Sequence, residues 1–368
     1  MTEQRKRVAI FLNTPVSDER KEQIRTGVMP RHDILLLRER LNATLIEPRN
    51  AVGYGRFGGL SRFWDLFSSA WLAWRHRKNY DVIVMDLDGI GVFLALLFKL
   101  FRTKKGLVII CHGKLSGGYG AKLLNMFNLP RHVNYFVCYG PAVARRLVEI
   151  VGVPEEQVKL VKHPADHHWW KPSGNPPERL ISSAGMLVRD YGALAQAVRD
   201  LDVQVRIAAY SPWVDPAKQP AGGAPDNVSF TRLPQNELRD LYDRSMFVVV
   251  PLRPTSGQGG SLVVYESMAM GKAVIVAKTE GEQALHLVTE GETGYYYEPG
   301  DVDGLRTAIQ RLLDNPDEAK RMGEAARARV ERELNMDRYV DEMTALVSSL
   351  TGDEYPATEP ASDTSAAD

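Results

Sequence analysis

The chain has 368 residues, of which 44% are hydrophobic and 25% are charged, and its 46 basic side chains balance its 46 acidic ones. This length exceeds one ordinary core and fits two domains of about 150 to 180 residues each. The composition is that of a soluble globular protein, and no stretch reaches the roughly 18 uninterrupted apolar residues of a membrane span.

Three further features bear on location. The most apolar stretch, Gly89 to Leu100, is short and contains Lys99. The amino terminus leads straight into a strand-like run without a cleavage-type segment, so we do not expect secretion. Cys111 and Cys138 each close an apolar run, and we expect reduced thiols in the core rather than a disulfide or metal site. The sequence therefore predicts a cytoplasmic protein.

The balanced net charge hides an asymmetry between the two halves. Residues 1–170 hold 26 basic against 15 acidic side chains, whereas residues 171–350 hold 20 against 26. Two interpretations stay open. The basic half faces an anionic partner, such as a membrane surface or a phosphorylated acceptor, or the dipolar surface has no function.

Short apolar and β-branched runs alternate with helix-like stretches along the whole chain. This pattern indicates parallel sheets buried on both faces, and we predict an α/β fold of two Rossmann-like domains. In chain order the predicted strands are Val8–Leu12, Ala43–Ile46, Val82–Met85, Leu107–Cys111, Tyr135–Tyr139, Val158–Val161, Leu180–Gly185, Val203–Ala209, Val228–Thr231, Phe247–Leu252, Ala273–Ala277 and Gly294–Tyr297.

Prolines and a glycine at about 168–178 mark a linker between the domains. We predict an N-terminal domain over 1–170 that binds the acceptor and a C-terminal domain over 171–350. We expect that the last helix can return to the N-terminal domain and pack on it. Residues 351–368 are polar and acidic and contain proline, so we expect them to be disordered.

A glycine-rich loop follows the predicted strand that ends at Leu252. In parallel α/β sheets, ligands bind where strands end and helices begin, and with two such domains the expected site is the cleft between them. Glycines let a phosphate approach the backbone, and free N–H groups at a helix N-terminus attract it. The candidate groups are Gly257, Gly259, Gly260, Ser261, Leu262 and Val263. Glu266, about a turn and a half into that helix, is placed to accept hydrogen bonds from a ribose. A glycine-rich loop alone is weak evidence for a phosphate site.

The stretch VVYESMAMGKAVIVAKTEGEQALHLVTEGETGYYYEPGDVDGLRTAIQRLLDNP resembles the C-terminal signature of glycosyltransferase family 4, the retaining GT-B transferases that use nucleotide sugars. HPADHHWWKP and VIICHGKL are similar to further segments of that family. The resemblance implies a GT-B fold, in which two Rossmann-like domains face a central cleft. It also implies that Glu266 binds the ribose, that the amides of residues 261–263 bind the β-phosphate, and that His112 contacts the donor sugar or acceptor. The alternative is that His112 merely caps a strand, and without the resemblance this interpretation is favoured.

The sequence departs from the family pattern at three positions. Gln258 stands where the family usually has a glutamate that contacts the donor sugar, so an acceptor is kept but the charge is lost. Met186 and Tyr191 stand where the family places an arginine and a lysine on the donor diphosphate. Arg189 is our candidate for the missing cation, because a guanidinium matches phosphate geometry, and the alternative is a surface arginine.

The chemistry implied by the resemblance is sugar transfer with retention at the anomeric carbon. It needs neutralisation of the departing diphosphate by Arg189, Lys272 or backbone amides, and closure that excludes water. Lys272 is alternatively an exposed lysine at a helix end. We expect no cofactor and no obligatory metal, since the nucleotide sugar is a substrate.

The remaining candidates concern the acceptor and the base. Asp86 and Asp88 form a DLD sequence, for which we consider ordinary loop acids, a strand-end pair near the acceptor, and a metal motif. We assign Asp86, Asp88 and Gly27 to the acceptor side. The base pocket is predicted near Tyr210 and Leu233, but neither residue distinguishes UDP from GDP.

Aromatic residues at helical spacing precede a basic cluster. Trp64, Phe67, Trp71 and Trp74 fall on one face of a predicted helix that ends in Arg75, Arg77 and Lys78. This helix either packs into the core or lies in the interface of an anionic membrane.

The function predicted from these observations is a retaining glycosyltransferase, with a UDP- or GDP-sugar as donor and a glycan, a lipid-linked molecule or a small molecule as acceptor. We expect no nucleic-acid partner. Two alternatives stay open: a transferase-like protein that binds nucleotide sugars without turnover, and a GT-B sugar-nucleotide epimerase.

Overall fold

A computed structural model describes residues 7–12, 14–48, 59–112, 115, 119–209, 224–255, 259–279 and 286–355. The strands are β1 (Val8–Phe11), β2 (Thr44–Ile46), β3 (Val82–Met85), β4 (Gly106–Cys111), β5 (Tyr135–Cys138), β6 (Val158–Leu160), β7 (Leu180–Ala184), β8 (Gln204–Ala208), β9 (Val228–Thr231), β10 (Phe247–Val250), β11 (Ala273–Ala277) and β12 (Gly294–Tyr297). The helices are α1 (Asp18–Arg25), α2 (Asp33–Leu41), α3 (Gly59–His76), α4 (Asp88–Leu100), α5 (Tyr119–Met126), α6 (Pro141–Glu149), α7 (Tyr191–Ala197), α8 (Gln235–Arg244), α9 (Ser261–Ala269), α10 (Val302–Asp314), α11 (Pro316–Glu333) and α12 (Met336–Thr351).

The chain divides into two compact units. The first contains residues 1–21, 32–162 and 337–368, and the second contains residues 22–31 and 163–336. Each unit holds one six-stranded sheet, in the order β2-β1-β3-β4-β5-β6 and β12-β11-β10-β7-β8-β9. All neighbouring strands in both sheets are parallel. This arrangement confirms the predicted fold class and all twelve predicted strands.

The sheet of the first unit is buried on both faces. Along β1, Ala9 and Phe11 join one core cluster while Val8 and Ile10 join another, because successive side chains of a strand point to opposite faces. Helices α3, α4 and α5 contribute to the first cluster, and α2 and α12 contribute to the second. The last helix therefore belongs to the core of the first unit.

The segment predicted as a linker has no regular secondary structure but is not a solvated spacer. Trp169 and Trp170 are 8% and 2% exposed and join the core of the second unit. The ring of Trp170 lies 5.7 Å from that of Tyr242 in α8. Burial of these two indoles accounts for a unit boundary after residue 162, whereas the sequence places it at 170.

A short segment from the first half of the chain also groups with the second unit. The guanidinium of Arg31 lies 2.9 Å from the buried carboxylate of Asp166, and the indole of Trp169 donates to the carbonyl of Gly27 at 2.9 Å. Residues 22–31 are therefore tied to the start of the second unit.

Two further expectations from the sequence concern the C-terminal tail and membrane-spanning helices. Residues 356–368 of the predicted disordered tail lie outside the described residues, and 351–355 continue from α12, with Tyr355 packed on the core. Across the part of the chain that the structure describes, every helix is too short or too polar to cross a bilayer.

Candidate active site

The amino end of α9 presents backbone donors at the carboxyl edge of the second sheet. Gly260 is the N-cap residue, with φ +93°, and no side chain among the described residues caps this helix end. The first-turn amides of a helix have no partner within the helix, so those of residues 261–263 point outward. A Cβ at Gly260 would lie 2.9 Å from Cγ1 of Val250, so both the backbone angle and the space require glycine here.

Arg189 folds back over the loop that follows β7. Its Nε donates to the carbonyl of Ala184 at 2.9 Å, and its Nη1 donates to that of Leu187 at 3.0 Å. Gly185 has φ +94°, and a Cβ there would collide with Nη2 of Arg189. The hydroxyl of Tyr191 donates to the carbonyl of Gly185 at 2.5 Å and so fixes the loop. Arg189 is therefore a buried, positioned cation and not a surface arginine, because its exposure is only 8%.

The guanidinium of Arg189 borders the amino end of α9. A Cβ built on Gly260 would lie 3.5 Å from its Nη1 and 3.6 Å from its Nη2. The backbone of Arg189 also forms a bridge with Leu252, which holds the two loops side by side. One fixed cation and a set of open amides thus converge within the second unit, which is the donor set that a diphosphate requires.

Glu266 is the sixth residue of α9 and is partly buried. Burial raises the pKa of its carboxyl from 4.5 to about 8, because desolvation penalises the charged form. The carboxyl of Glu266 is therefore mostly protonated at pH 7 and can both donate and accept a hydrogen bond. Such a group suits the paired hydroxyls of a ribose.

A second polar group occupies the carboxyl edge of the first sheet. His112 follows β4, and its Nε2 lies 2.9 Å from Oδ1 of Asp86, which follows β3. The side chain of His112 keeps 34% exposure, whereas that of Asp86 keeps 11%. Desolvation raises the pKa of Asp86 despite the opposing effect of His112. Desolvation is the largest single effect on the pKa of His112 and lowers it, but the bond to Asp86 and the negative charges of Asp86, Asp88 and Asp33 together outweigh it, so the net shift is upward.

Asp88 has a different environment from Asp86. It begins α4, is fully buried, and accepts a hydrogen bond from the amide of Leu115 at 3.1 Å. The two acids of the DLD sequence therefore differ in role, since Asp86 is hydrogen-bonded to the side chain of His112 and Asp88 to the backbone amide of Leu115.

Two neighbours of His112 were not predicted from the sequence. The ring of Tyr139, which follows β5, lies 5.5 Å from that of His112, and its hydroxyl lies 3.1 Å from that of Tyr339 in α12. The carboxylate of Asp33, at the start of α2, raises the pKa of His112 and of Asp86 through its charge. Tyr139 carries the same signal as His112, a polar residue directly after a buried strand, whereas nothing in the sequence pattern points to Asp33.

The other predicted site residues fall into three groups. Gly257, Gln258 and Tyr210 lie outside the described residues. Leu233 is partly buried in the loop before α8. Gly27 groups with the second unit, whereas Asp86 and Asp88 belong to the first.

Lys272 matches neither interpretation given to it. It is 8% exposed, and its Nζ donates to the carbonyl of Asp243 at 2.7 Å. It lies beyond the carboxyl end of α9, about 14 Å along the helix from Gly260. Desolvation lowers the pKa of this ammonium. Lys272 is therefore a buried structural lysine, remote from the open amides.

Comparison with known proteins gives a family match for part of the chain. Residues 179–315 match the family described as Glycosyl transferases group 1. The chain is 30% identical over 158 residues to the GDP-mannose-dependent alpha-(1-6)-phosphatidylinositol monomannoside mannosyltransferase of Mycolicibacterium smegmatis. The aligned residues make up 40% of each of the two chains. It is 28% identical over 164 residues to a sulfoquinovosyl transferase of Arabidopsis thaliana, covering 44% of this chain and 31% of the relative. The matches thus span less than half the length of these curated relatives.

Solved structures resemble the fold over nearly the whole chain. Sucrose-phosphate synthase from Thermosynechococcus elongatus superposes with a TM-score of 0.71 at 18% identity, covering 95% of this chain and all of that one. HepE from Anabaena in complex with UDP gives 0.68 at 16% identity, covering 93% of this chain and all of that one. The two parallel sheets and these similarities show a GT-B fold. The family match covers residues 179–315, within the second unit, and identifies that segment as a domain of the group 1 glycosyltransferase type.

Proposed function

We propose that this glycosyltransferase transfers a hexosyl residue from a UDP- or GDP-sugar to a glycan, lipid-linked or small-molecule acceptor, with retention at the anomeric carbon. The observation that carries the proposal is the convergence of the Arg189 guanidinium with the open amides of α9, inside the matched domain. In this role Arg189 and those amides neutralise the departing diphosphate, and Glu266 binds the ribose. Gln258 is proposed to contact the donor sugar.

The transfer step is a same-face displacement. The bond from the anomeric carbon to the donor phosphate oxygen breaks, and a bond from the acceptor oxygen to that carbon forms on the same face. The acceptor proton passes to an oxygen of the leaving diphosphate. No cofactor takes part, and His112, held by Asp86, is proposed to orient the sugar or the acceptor.

GDP-mannose is the first donor to test. Two of the curated relatives are named as GDP-mannose-dependent mannosyltransferases acting on phosphatidylinositol monomannosides. We therefore place a lipid-linked acceptor, and peripheral contact with the cytoplasmic face of an anionic membrane, ahead of the other acceptor classes.

The test is release of nucleoside diphosphate from a panel of UDP- and GDP-sugars, with and without acceptors. We expect release from one donor, with strong loss in Arg189→Ala and Glu266→Ala. Glu324→Ala, an exposed glutamate in α11, serves as the matched control and should keep full activity. Nucleotide binding without release would favour the non-catalytic alternative, and conversion of the free donor sugar would favour an epimerase. Absence of both release and binding would refute the proposal.

A further inference from the structure

Helix α3 and the end of α4 expose a continuous set of large apolar side chains in the first unit. We call this set the aromatic surface, and its members are 40% to 69% exposed: Phe63, Trp64, Trp71, Leu72, Leu100 and Phe101. Ring contacts link the aromatic members through Phe67 and Trp74, including Trp64 to Phe67 at 6.1 Å and Trp74 to Phe101 at 4.2 Å. Contiguous exposed apolar surface of this kind marks an interaction site.

The four aromatic residues predicted on one face of α3 are divided between the core and the solvent-exposed surface, so each of the two sequence-based interpretations, core packing and a membrane interface, describes part of the helix. Phe67 and Trp74 are partly buried and pack on the core of the first unit, whereas Trp64 and Trp71 are 58% and 40% exposed. The inner rings therefore hold the helix on the sheet, and they support the outer rings in solvent.

The surroundings of the aromatic surface are strongly cationic. Residues 66–80 and 89–105 contain no acidic side chain and carry seven basic ones, namely Arg75, Arg77, Lys78, Lys99, Arg102, Lys104 and Lys105. The nearest acids in sequence are Asp65, on α3, Asp81, which pairs with Lys105 at 3.0 Å, and Asp88, which is fully buried. This positive charge is complementary to an anionic surface, and it disfavours association with a second copy of the same face because like charges repel.

A cationic cavity adjoins the aromatic surface at the amino edge of the sheet. Its volume is about 680 Å³, and Thr103, Lys104, Lys105, Arg131 and His132 line it. Trp74 connects the two features, because its indole donates to the hydroxyl of Thr103 at 3.3 Å.

The other titratable groups that line the cavity, Asp81 and His132, do not neutralise its positive charge. The carboxylate of Asp81 also lines it but is engaged by Lys105 and by the amide of Arg7. Burial first, and the charge of Lys99 second, lower the pKa of His132. The cavity is large enough for a phosphate with its substituent, and its lining supplies the donors that a phosphate takes.

We propose that the first unit docks on an anionic phospholipid bilayer, with the aromatic surface in the headgroup region and the cationic cavity around a headgroup phosphate. Aromatic and leucine side chains flanked by lysine and arginine are typical of interfacial binding. This inference deepens the membrane contact within the proposed function, and it concerns the amino edge of the first sheet rather than the carboxyl edge that carries His112. Docking requires no sugar transfer, so the two proposals fail separately.

The test is binding of the full chain, without donor or acceptor, to phosphatidylcholine vesicles with and without phosphatidylglycerol. We expect binding only to the anionic vesicles, with quenching of tryptophan fluorescence by brominated lipid. Trp64→Ser with Trp71→Ser should weaken binding at least about tenfold. Lys104→Glu with Arg131→Glu should weaken it about fivefold for each charge removed. Retained circular dichroism and an unchanged thermal unfolding transition show that each variant is folded.

Two matched controls accompany these variants. Leu160→Ser removes an apolar side chain that is 54% exposed in β6, and Lys320→Glu reverses an exposed charge in α11. Both should bind vesicles as the wild type does. Equal binding to neutral and anionic vesicles, or full binding by the double variants, overturns the proposal. A dimer that dissociates in Trp64→Ser with Trp71→Ser also overturns it, because a second copy then covers the aromatic surface.

Discussion

The carboxyl of Glu266 offers a sharp physical test of the site in the second unit. Its pKa rises from 4.5 to about 8 through burial, so the folded protein holds the proton more tightly than the unfolded chain does. Stability from this neutral carboxyl is fully present below pH 4.5 and is lost as the pH rises to about 8. Glu266→Gln replaces it with a neutral group of similar shape and removes this pH dependence.

The magnitude follows from the size of the shift. At about 1.36 kcal/mol per unit of pKa, the shift limits the change in the free energy of unfolding between low and high pH to about 5 kcal/mol. Glu266 is only partly buried, so solvent screening reduces the effect, and we expect about 2 kcal/mol between pH 5 and pH 8. For a unit of this size that difference is about 4 to 8 °C in Tm.

The assay is differential scanning calorimetry of the wild type and Glu266→Gln across this pH range, which resolves the transitions of the two units. We expect the variant to gain stability on the wild type as the pH rises, whereas Glu324→Gln, at an exposed position on α11, should follow the wild type. Parallel pH profiles for the wild type and Glu266→Gln would refute the desolvation of Glu266.

Three further substitutions test separate parts of the structure. Gly185→Ala should displace the Arg189 guanidinium and weaken nucleoside diphosphate binding about tenfold or more, measured by calorimetric titration. Asp86→Asn removes the negative charge that raises the pKa of His112 and leaves only a neutral acceptor, so the His112 titration followed by NMR should move to lower pH. Trp170→Ala empties a fully buried site in the second unit and should lower its stability by about 3 to 5 kcal/mol, measured by denaturant unfolding.

Each of these substitutions has its own control or contrary outcome. Gly174 also has a positive φ, of 85°, but a Cβ there meets no atom within 4 Å. Gly174→Ala should therefore leave nucleotide binding intact, and equal losses in both alanine variants would mean that backbone strain, not Arg189, is responsible. An unchanged His112 titration in Asp86→Asn would contradict the pairing, and full stability of Trp170→Ala would contradict the assignment of residue 170 to the core.

The periodic apolar runs were sufficient to predict the fold. Strands such as Val82–Met85 and Ala273–Ala277 are buried on both faces of a parallel sheet, so their apolar sequence and length leave little choice of structure. The unit boundary was harder to predict, because prolines and glycine indicated a linker while Trp169 and Trp170 were free to bury in either unit. Which core accepts an indole depends on packing that periodicity does not encode.

The site was predictable where it follows local rules. Gly260 and the first turn of α9 follow from the strand-loop-helix pattern, and Glu266 follows from its position in that helix. The buried setting of Lys272 did not follow, because its partner is a backbone carbonyl 29 residues away in sequence. Asp33 acts on His112 through space from another helix, and such long-range electrostatics have no local signature.

The most direct test of the central claim, that Arg189 and the amides of α9 hold a donor diphosphate, is calorimetric titration of UDP and GDP into the wild type and Arg189→Ala. Charge-assisted hydrogen bonds of about 1.5 to 3 kcal/mol correspond to a loss of about tenfold to a hundredfold in affinity. We predict that one of the two nucleotides binds the wild type and that Arg189→Ala weakens its binding by this amount. Failure of both nucleotides to bind, or equal affinity for the wild type and Arg189→Ala, would contradict the claim.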